Sequence, residues 1–325
     1  MSSEFDLISR FFTRSAPNAL LGVGDDAALL AASPGMELAV STDMLVSGQH
    51  FFPDVAAYLL GHKTLAVNLS DLAAMGATPR WATLALALPT IDPCWLELFS
   101  RGLFDMAARF EVSLVGGDTT CGPLNLTVTI LGEVPAGKAL RRSGACVGDD
   151  IWVSGDLGGA ALGLRYLLSE VELDDAEEVE SCLLRLHAPE PRVSLGQKLL
   201  GLAHAAIDIS DGLLADLGHV LDASGVGAEV EFARLPAHPA VATRLTKFSR
   251  SVTDLAQRCL LAGGDDYELC FTAAAECAQD VSDAAEYAGV AVTRIGRIRQ
   301  EPGLSLLTAD GSAMKFQERG FDHFK

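Results

Sequence analysis

Ser41, Thr42 and Asp43 stand together directly after the apolar pair Ala39-Val40, and His50 follows one short segment later. Hydroxyl and carboxylate oxygens are the donors that a hard cation such as magnesium takes, usually together with water and substrate phosphates. A Ser-Thr-Asp run also caps strand ends with no ligand present, so the weight must come from other acids. Asp26, Asp71, Asp118, Asp208 and Asp211 lie in glycine-flanked strand ends or in an apolar helical run. If these carboxylates share one cleft they cannot all stay charged without cations, because each like charge raises its neighbours' pKa. Several magnesium ions would answer this and would also neutralise a nucleotide's phosphates. Phosphoryl transfer from ATP is the chemistry this favours, since it asks the protein mostly for positioning and charge stabilisation.

The elements that must carry these residues can be read in order. Glu4 to Phe12 has helical spacing, with Phe5, Ile8 and Phe12 on one face. Val55 to Ala77 is a longer helical pattern that stops at Gly76 with Pro79 beyond. Its KTLAVNLSDLAAMGA is apolar on most sides and is expected to be buried, with Asn68 and Asp71 sharing a face three residues apart. A buried carboxylate is costly unless paired or metal-bound, so Asp71 is either a cation ligand or the partner of an arginine. Trp81 to Leu88 and Leu124 to Glu133 alternate as strands, and Pro93 opens an amphipathic helix expected to turn Trp95, Phe99, Leu103, Met106 and Phe110 inward. Val112 to Val115 is read as a short strand ending at Gly116-Gly117-Asp118, where two glycines would let the backbone approach a ligand, although a bare turn reads the same way.

Lys138 to Asp150 is rich in arginine, glycine and acid and is taken as the domain boundary, dividing the chain into 1–137 and 138–325. Within it Arg142 is a candidate phosphate clamp or a solvated linker arginine. A strand at Ile151 to Ser154, a glycine-rich bend at Gly155 to Gly159 and a helix at Ala160 to Leu168 could cradle a phosphate on the helix N-terminus. In AAIDISDGLL, from Ala205 to Leu214, strand alternation points Ile207 and Ile209 inward and sets Asp208 and Ser210 on the other face. Asp211 follows where Gly212 lets the chain turn. A second Gly-Gly-Asp, Gly263-Gly264-Asp265, precedes another apolar strand.

Familiar nucleotide loops are absent. Gly22-x-Gly24-x-x-Ala27 imitates a dinucleotide fingerprint, but Asp25 and Asp26 would aim their charges at the pyrophosphate and too few residues follow for a crossover helix. Gly61-His62-Lys63-Thr64 lacks the earlier glycine of a Walker loop. An ATP site here must be an unconventional one built from acids. Acidic residues outnumber basic ones 43 to 24 over 325 residues, a formal charge of −19, which argues against nucleic acid or an anionic membrane as partner. The 7 scattered cysteines contain no CxxC pair, as expected of a reducing cytoplasm, and neither a secretory leader nor a membrane-spanning run is read. The 49% hydrophobic content suits two domains, each with its own core.

GVGDDAALL, VSTDMLVSGQHF, VNLSDLAAMGATP, VGGDTT, LRRSGACVGD, IDISDGLLADLGH, GGDDYELCF and GFDHF, in that order and spacing over nearly the whole chain, resemble the thiamine-monophosphate kinase family. The resemblance implies a two-domain α/β (α+β) fold of the aminoimidazole-ribonucleotide-synthetase-like superfamily, with mixed sheets and helices packed on them. It further implies a homodimer joined through the N-terminal sheets, and ATP-dependent conversion of thiamine monophosphate to thiamine diphosphate by direct in-line transfer. Carried over by position, magnesium ligands fall on Asp26, Ser41, Thr42, Asp43, Asp71, Asp118, Asp208 and Asp211. ATP contacts fall on Gly117, Asp118, Arg142 and Ser210, and substrate contacts on His50, Asp265 and the aromatic Phe321 near the C-terminus. The family's usual Gly-Gly-Glu-Asp-Tyr-Glu-Leu has Asp265 in place of its first glutamate, one methylene shorter, so that contact is either lost or carried by water. Another ATP-using enzyme of the superfamily and a catalytically silent metal-binding scaffold are the rival readings.

Overall fold

Runs that alternate apolar and polar residues fold as the strands of two mixed sheets, each in its own unit. The computed structural model describes residues 4–247 and 249–316. Its first unit comprises Met1–Leu72 with Ala77–Gly137, and its second Ala73–Gly76 with Lys138–Lys325. The expected class, mixed sheets with helices packed on them, is what both units contain.

In the first unit Met36–Val46 (β1), Thr78–Leu88 (β2), Ser113–Cys121 (β3) and Asn125–Pro135 (β4) pair in the order β1-β4-β2-β3. Only β2 and β3 run parallel. Helix α2 (Ala57–Ala74) is buried as its apolar composition demands, with Leu65, Leu69 and Leu72 almost wholly covered. Helix α3 (Pro93–Arg109) starts at Asp92, whose carboxylate accepts the N–H groups of Cys94 and Trp95, with Pro93 in the first turn. Its buried stripe is Leu96, Phe99, Leu103 and Met106. Trp95 and Phe110, expected inside, are only half-buried, because Leu96 occupies the inward position and Trp95 stacks on Phe99 at 5.0 Å. Helices α2 and α3 meet at Gly61 and Gly102, where an added Cβ would strike the backbone carbonyl of Phe99 or Tyr58 respectively.

Two local expectations are corrected. The N-terminal helix has one α turn, Glu4–Leu7 (α1), and then widens into a π-helical Ile8–Phe12. The wider turn rotates Phe11 inward with Leu7 and Phe12, leaving Ile8 half-buried. Gly116-Gly117-Asp118 does not follow a strand; it lies inside β3. Gly117 has φ +152, and a side chain there would run into the carbonyl of Leu84 on β2, so this glycine serves the close pairing of strands.

The second unit holds Asp150–Ser154 (β5), Ala203–Asp208 (β6), Gly227–Glu231 (β7), Leu269–Ala273 (β8), Val292–Arg299 (β9), Gly303–Leu307 (β10) and Ala313–Met314 (β11). They pair in the order β11-β10-β7-β9-β5-β8-β6. Around this sheet lie α4 (Gly159–Leu167), α5 (Ala176–His187), α6 (Val193–Lys198), α7 (Leu213–Ser224), α8 (Pro239–Leu245), α9 (Arg250–Ala262) and α10 (Ala278–Ala288). Ile151, Val153, Ile207, Ile209, Leu213 and Leu260 form part of one continuous core. Among the described residues no helix is long and apolar enough to cross a membrane.

Glu133 on β4 shows how a buried acid is kept charged in the first unit. It accepts from the Ser33 N–H at 2.5 Å, the Ser33 hydroxyl at 3.1 Å and Arg80 Nε at 3.0 Å. Burial opposes its charge, but the bonds from Ser33 and then Arg80 outweigh that and hold the carboxyl below its ordinary 4.5. A folded-state value below the unfolded one means the group adds stability at pH above the unfolded value and loses it as pH falls through the folded value. Glu133→Gln is expected to lower stability at neutral pH, with the gap to the parent protein closing in denaturant midpoints as pH falls below the ordinary glutamate range. A gap that stays constant with pH would show that the charge of Glu133 plays no part.

Candidate active site

In the first unit the acids of β1 and α2 meet. Strand alternation turns Ser41 and Asp43 to the face that α2 covers, and the Ser41 hydroxyl donates to the Asp71 carboxylate. The Asp43 N–H donates to Asn68 Oδ1 at 3.2 Å, while Asn68 Nδ2 donates to the Thr64 carbonyl one turn earlier. Burial, and after it the charge of Asp71, push the Asp43 carboxyl up to about 7. Hydroxyl, amide and carboxylate oxygens, with two carboxylates close enough for one to raise the other's pKa, are a donor set that fits magnesium.

Other candidates in this unit stand apart from that pair. Thr42 points to the opposite face of β1, where its hydroxyl lies 2.8 Å from that of Thr129. The reason is the two-residue period of a strand, which cannot aim three consecutive side chains at one ion. Asp43, Val128, Leu84 and Gly117 form one row across the sheet, and Asp118 falls in the next row with Ala85, Thr127 and Met44. Asp118 is therefore three strand spacings from the Asp43 strand, about 14 Å, and on the exposed face. His50 accepts the Val46 N–H on Nδ1 at 3.0 Å, closing the turn after β1. Asp26 is exposed in a loop bridged by Leu21 and Leu29, its N–H bonded to Asp25.

In the second unit two motifs that are distant in the chain lie side by side. The Ile209 N–H donates to the Glu268 carbonyl, the Tyr267 N–H to Ile209 and the Asp265 N–H to Ser210, at 2.8, 2.8 and 2.9 Å. Asp208, Ser210 and Asp211 are thereby brought together with Asp265. Asp208 ends β6 and is buried, with Ser210 and Asp211 half-buried beyond it. Gly212, at φ +117, turns the chain into α7 as expected. Asp265 and Tyr267 have φ of +68 and +50, a left-handed backbone that aspartate tolerates better than most side chains. Arg142 is exposed in the 138–149 loop, where its carbonyl accepts from Ser224. Phe321 lies outside the described residues.

The glycine bend before α4 does not present a free helix end. The Gly158 N–H is taken by both oxygens of Asp266, at 3.0 and 2.9 Å. An internal carboxylate occupies the place expected for a phosphate, and burial holds it well above the usual carboxylate range despite that bond.

Several organising residues escaped the sequence reading. Asp216, in the first turn of α7, accepts the N–H groups of Ser210, Asp211 and Gly212 at 3.0, 3.0 and 3.1 Å, shaping the acid-bearing turn. Burial pushes its carboxyl up to about 7, the three N–H bonds opposing this and the Asp211 charge adding to it. Glu268, with no exposed surface, accepts from the Ser154 hydroxyl at 2.5 Å, Arg185 at 3.3 Å and Arg192 Nε at 2.7 Å. Arg185 also reaches Asp156 at 2.9 Å. The available signal was an acid in the apolar run Tyr267-Glu268-Leu269, which needs a cationic partner if it is buried.

Comparison with known proteins places the chain in a family. The N-terminal domain of the AIR synthase related proteins matches residues 24–134, and the C-terminal domain of that family matches residues 147–308. The thiamine-monophosphate kinase of Escherichia coli strain K12 is 45% identical over 324 residues, covering 99% of this chain and 98% of the relative. The chain belongs to the thiamine-monophosphate kinase family. A crystal structure of the thiamine-monophosphate kinase from Stenotrophomonas maltophilia K279a, 49% identical, covers 92% of this chain and 93% of its own with a TM-score of 0.83. AaThiL complexed with AMPPCP and TMP is 30% identical with a TM-score of 0.76, covering 90% of this chain and 89% of its own.

The segment 263–269 rests on the Glu268 ion network. Arg192→Met would leave Glu268 buried with its strongest cationic partner gone, and is expected to lower stability by about 3 kcal/mol or more. Denaturant midpoints of the full chain measure this, and an unchanged midpoint would show that Arg185 and Ser154 suffice.

Proposed function

We propose that this chain transfers the γ-phosphate of ATP to thiamine monophosphate, giving thiamine diphosphate, by direct in-line displacement with several magnesium ions, in the cytoplasm. The observation that carries the reading is the Asp43–Asp71 pair, an oxygen-rich site in which burial and the neighbouring Asp71 charge push the Asp43 carboxyl up to about 7, in a chain 45% identical over nearly its full length to a thiamine-monophosphate kinase. AaThiL is complexed with AMPPCP and TMP, which supports the same two substrate classes here. The 7 cysteines, all free, suit a reducing compartment.

In this reading residues 1–137 bind metal and ATP and carry the dimer contact, while residues 138–325 complete the ATP and substrate sites. Asp26, Ser41, Thr42, Asp43, Asp71, Asp118, Asp208 and Asp211 would hold magnesium. Bound there, magnesium supplies the positive charge that lets two anionic reactants approach each other within an acidic site. Gly117, Asp118, Arg142 and Ser210 would contact ATP, and His50, Asp265 and Phe321 the thiamine monophosphate. An ionised phosphate nucleophile needs no proton removed, so no general base is assigned.

Purified protein given ATP, magnesium and thiamine monophosphate is expected to form thiamine diphosphate. Asp71→Asn should cut that turnover on the order of a hundredfold or more while moving the thermal midpoint little. ATP spent on a different acceptor would point instead to another superfamily enzyme, absence of nucleotide binding to a metal-binding scaffold, and equal loss of activity and stability to a structural role for Asp71.

The homodimer reading rests on β1. Met36, Leu38, Val40 and Met44 share one face of this edge strand and are 39, 46, 59 and 53% exposed, an apolar stripe of the kind that marks an interface. Sedimentation should give a dimer that Val40→Glu dissociates; a monomeric parent protein would refute the assignment.

A further inference from the structure

A cysteine, an aspartate and a histidine that the phosphate chemistry does not use come together in the second unit. The Cys146 thiol, the Asp149 carboxylate and a ring nitrogen of His204 all lie within 4.8 Å of one another. We propose that they form a binding site for a borderline divalent metal ion of the zinc class, distinct from the acid-built magnesium site.

The donor set points to that class. Thiolate with imidazole selects zinc and its neighbours, whereas magnesium prefers oxygen alone. Donors around tetrahedral zinc sit about 3.5 Å apart, so the cluster must contract by roughly 1 Å. Cys146 is exposed and its thiol rests 3.4 Å from the Gly144 carbonyl, a weak contact it can leave. Asp149 and His204 are already held: the buried carboxylate lies 3.0 and 2.9 Å from His204 Nδ1 and accepts the Cys146 N–H at 2.9 Å.

The loop that carries two of the donors is pinned on both sides. The Ser224 hydroxyl accepts the N–H groups of Gly144 and Ala145, and Ile298 of β9 exchanges backbone bonds with Gly148 and Asp149. This leaves little ordering to be done on binding. Three protein donors with Cys146 and His204 exposed leave a fourth position open to water.

Within the second unit the cluster also sits away from Asp208. Strands β5 and β6 are both antiparallel to β8, so they run in the same direction. Asp149 and His204 stand at their starts, whereas Asp208 stands at the end of β6. Asp208 lies four strand steps beyond His204, about 13 Å. Occupancy expels the thiol proton to solvent, so affinity should rise with pH.

The test uses the full chain stripped with chelator and titrated with cobalt, zinc then being added in competition. One equivalent of cobalt should produce a thiolate-to-metal charge-transfer band that zinc abolishes. Cys146→Ser, which sits on an exposed turn and should keep the parent thermal midpoint, is expected to lose the band and bind zinc roughly a hundredfold or more weakly. His204→Ala should weaken zinc binding as well. Cys94→Ser and Cys121→Ser, at the other fully exposed thiols, should change neither. Absence of the band in the parent protein, its survival in Cys146→Ser, or its loss only in the Cys94 or Cys121 variant would overturn the proposal.

Discussion

Asp43 and Asp71 stand close enough that each carboxylate bears on the charge of the other, and β1 and α2 hold them together half-buried. Much of the first unit can be understood from what it takes to hold that pair. A helix with apolar residues on most sides brings Asn68 and Asp71 against the inner face of a strand, and α3 backs the helix at a glycine crossing. Burial of a carboxylate beside another carboxylate is unfavourable by itself. It becomes a working arrangement when a divalent cation belongs to it.

Other buried acids of the chain obey the same demand differently. Glu133 has Arg80 and Ser33; Glu268 has Arg192, Arg185 and Ser154. These carboxylates find protein partners and pin elements to one another. Asp216 and Asp266 are a third kind, meeting backbone N–H groups at a turn and at a helix start, and burial raises both. What an acid does here follows from whether arginine, backbone or a like charge faces it. Asp266 shows why this matters for a search based on motifs, because the helix start that reads as a phosphate cradle already holds an internal carboxyl group.

The second unit reaches its arrangement by hydrogen bonds between segments far apart in the chain. Ile209 and Ser210 pair with Asp265, Tyr267 and Glu268, while Asp216 draws three successive N–H groups into one turn. The left-handed backbone at Asp265 and Tyr267 is held by those same bonds. Strain of this kind persists where surrounding contacts over-determine it, and the ion network beneath Glu268 supplies them.

The sequence by itself determined the element types, the acid motifs and the family, because strand and helix periods and glycine-flanked acids are local properties of the chain. The burial of the helix bearing Asp71 and the turn at Gly212 were legible in this way. Tertiary structure alone decided which side chains face each other. Thr42 turned from its neighbours because a strand alternates, and the backbone of Leu84 leaves no room for a side chain at Gly117. Asp118 fell on the exposed face because strand order and register separate β3 from β1. Arg192 and Glu268, like Cys146 and His204, became partners only on folding, since sequence separation carries no information about which distant charges and donors a sheet will bring within a few ångströms.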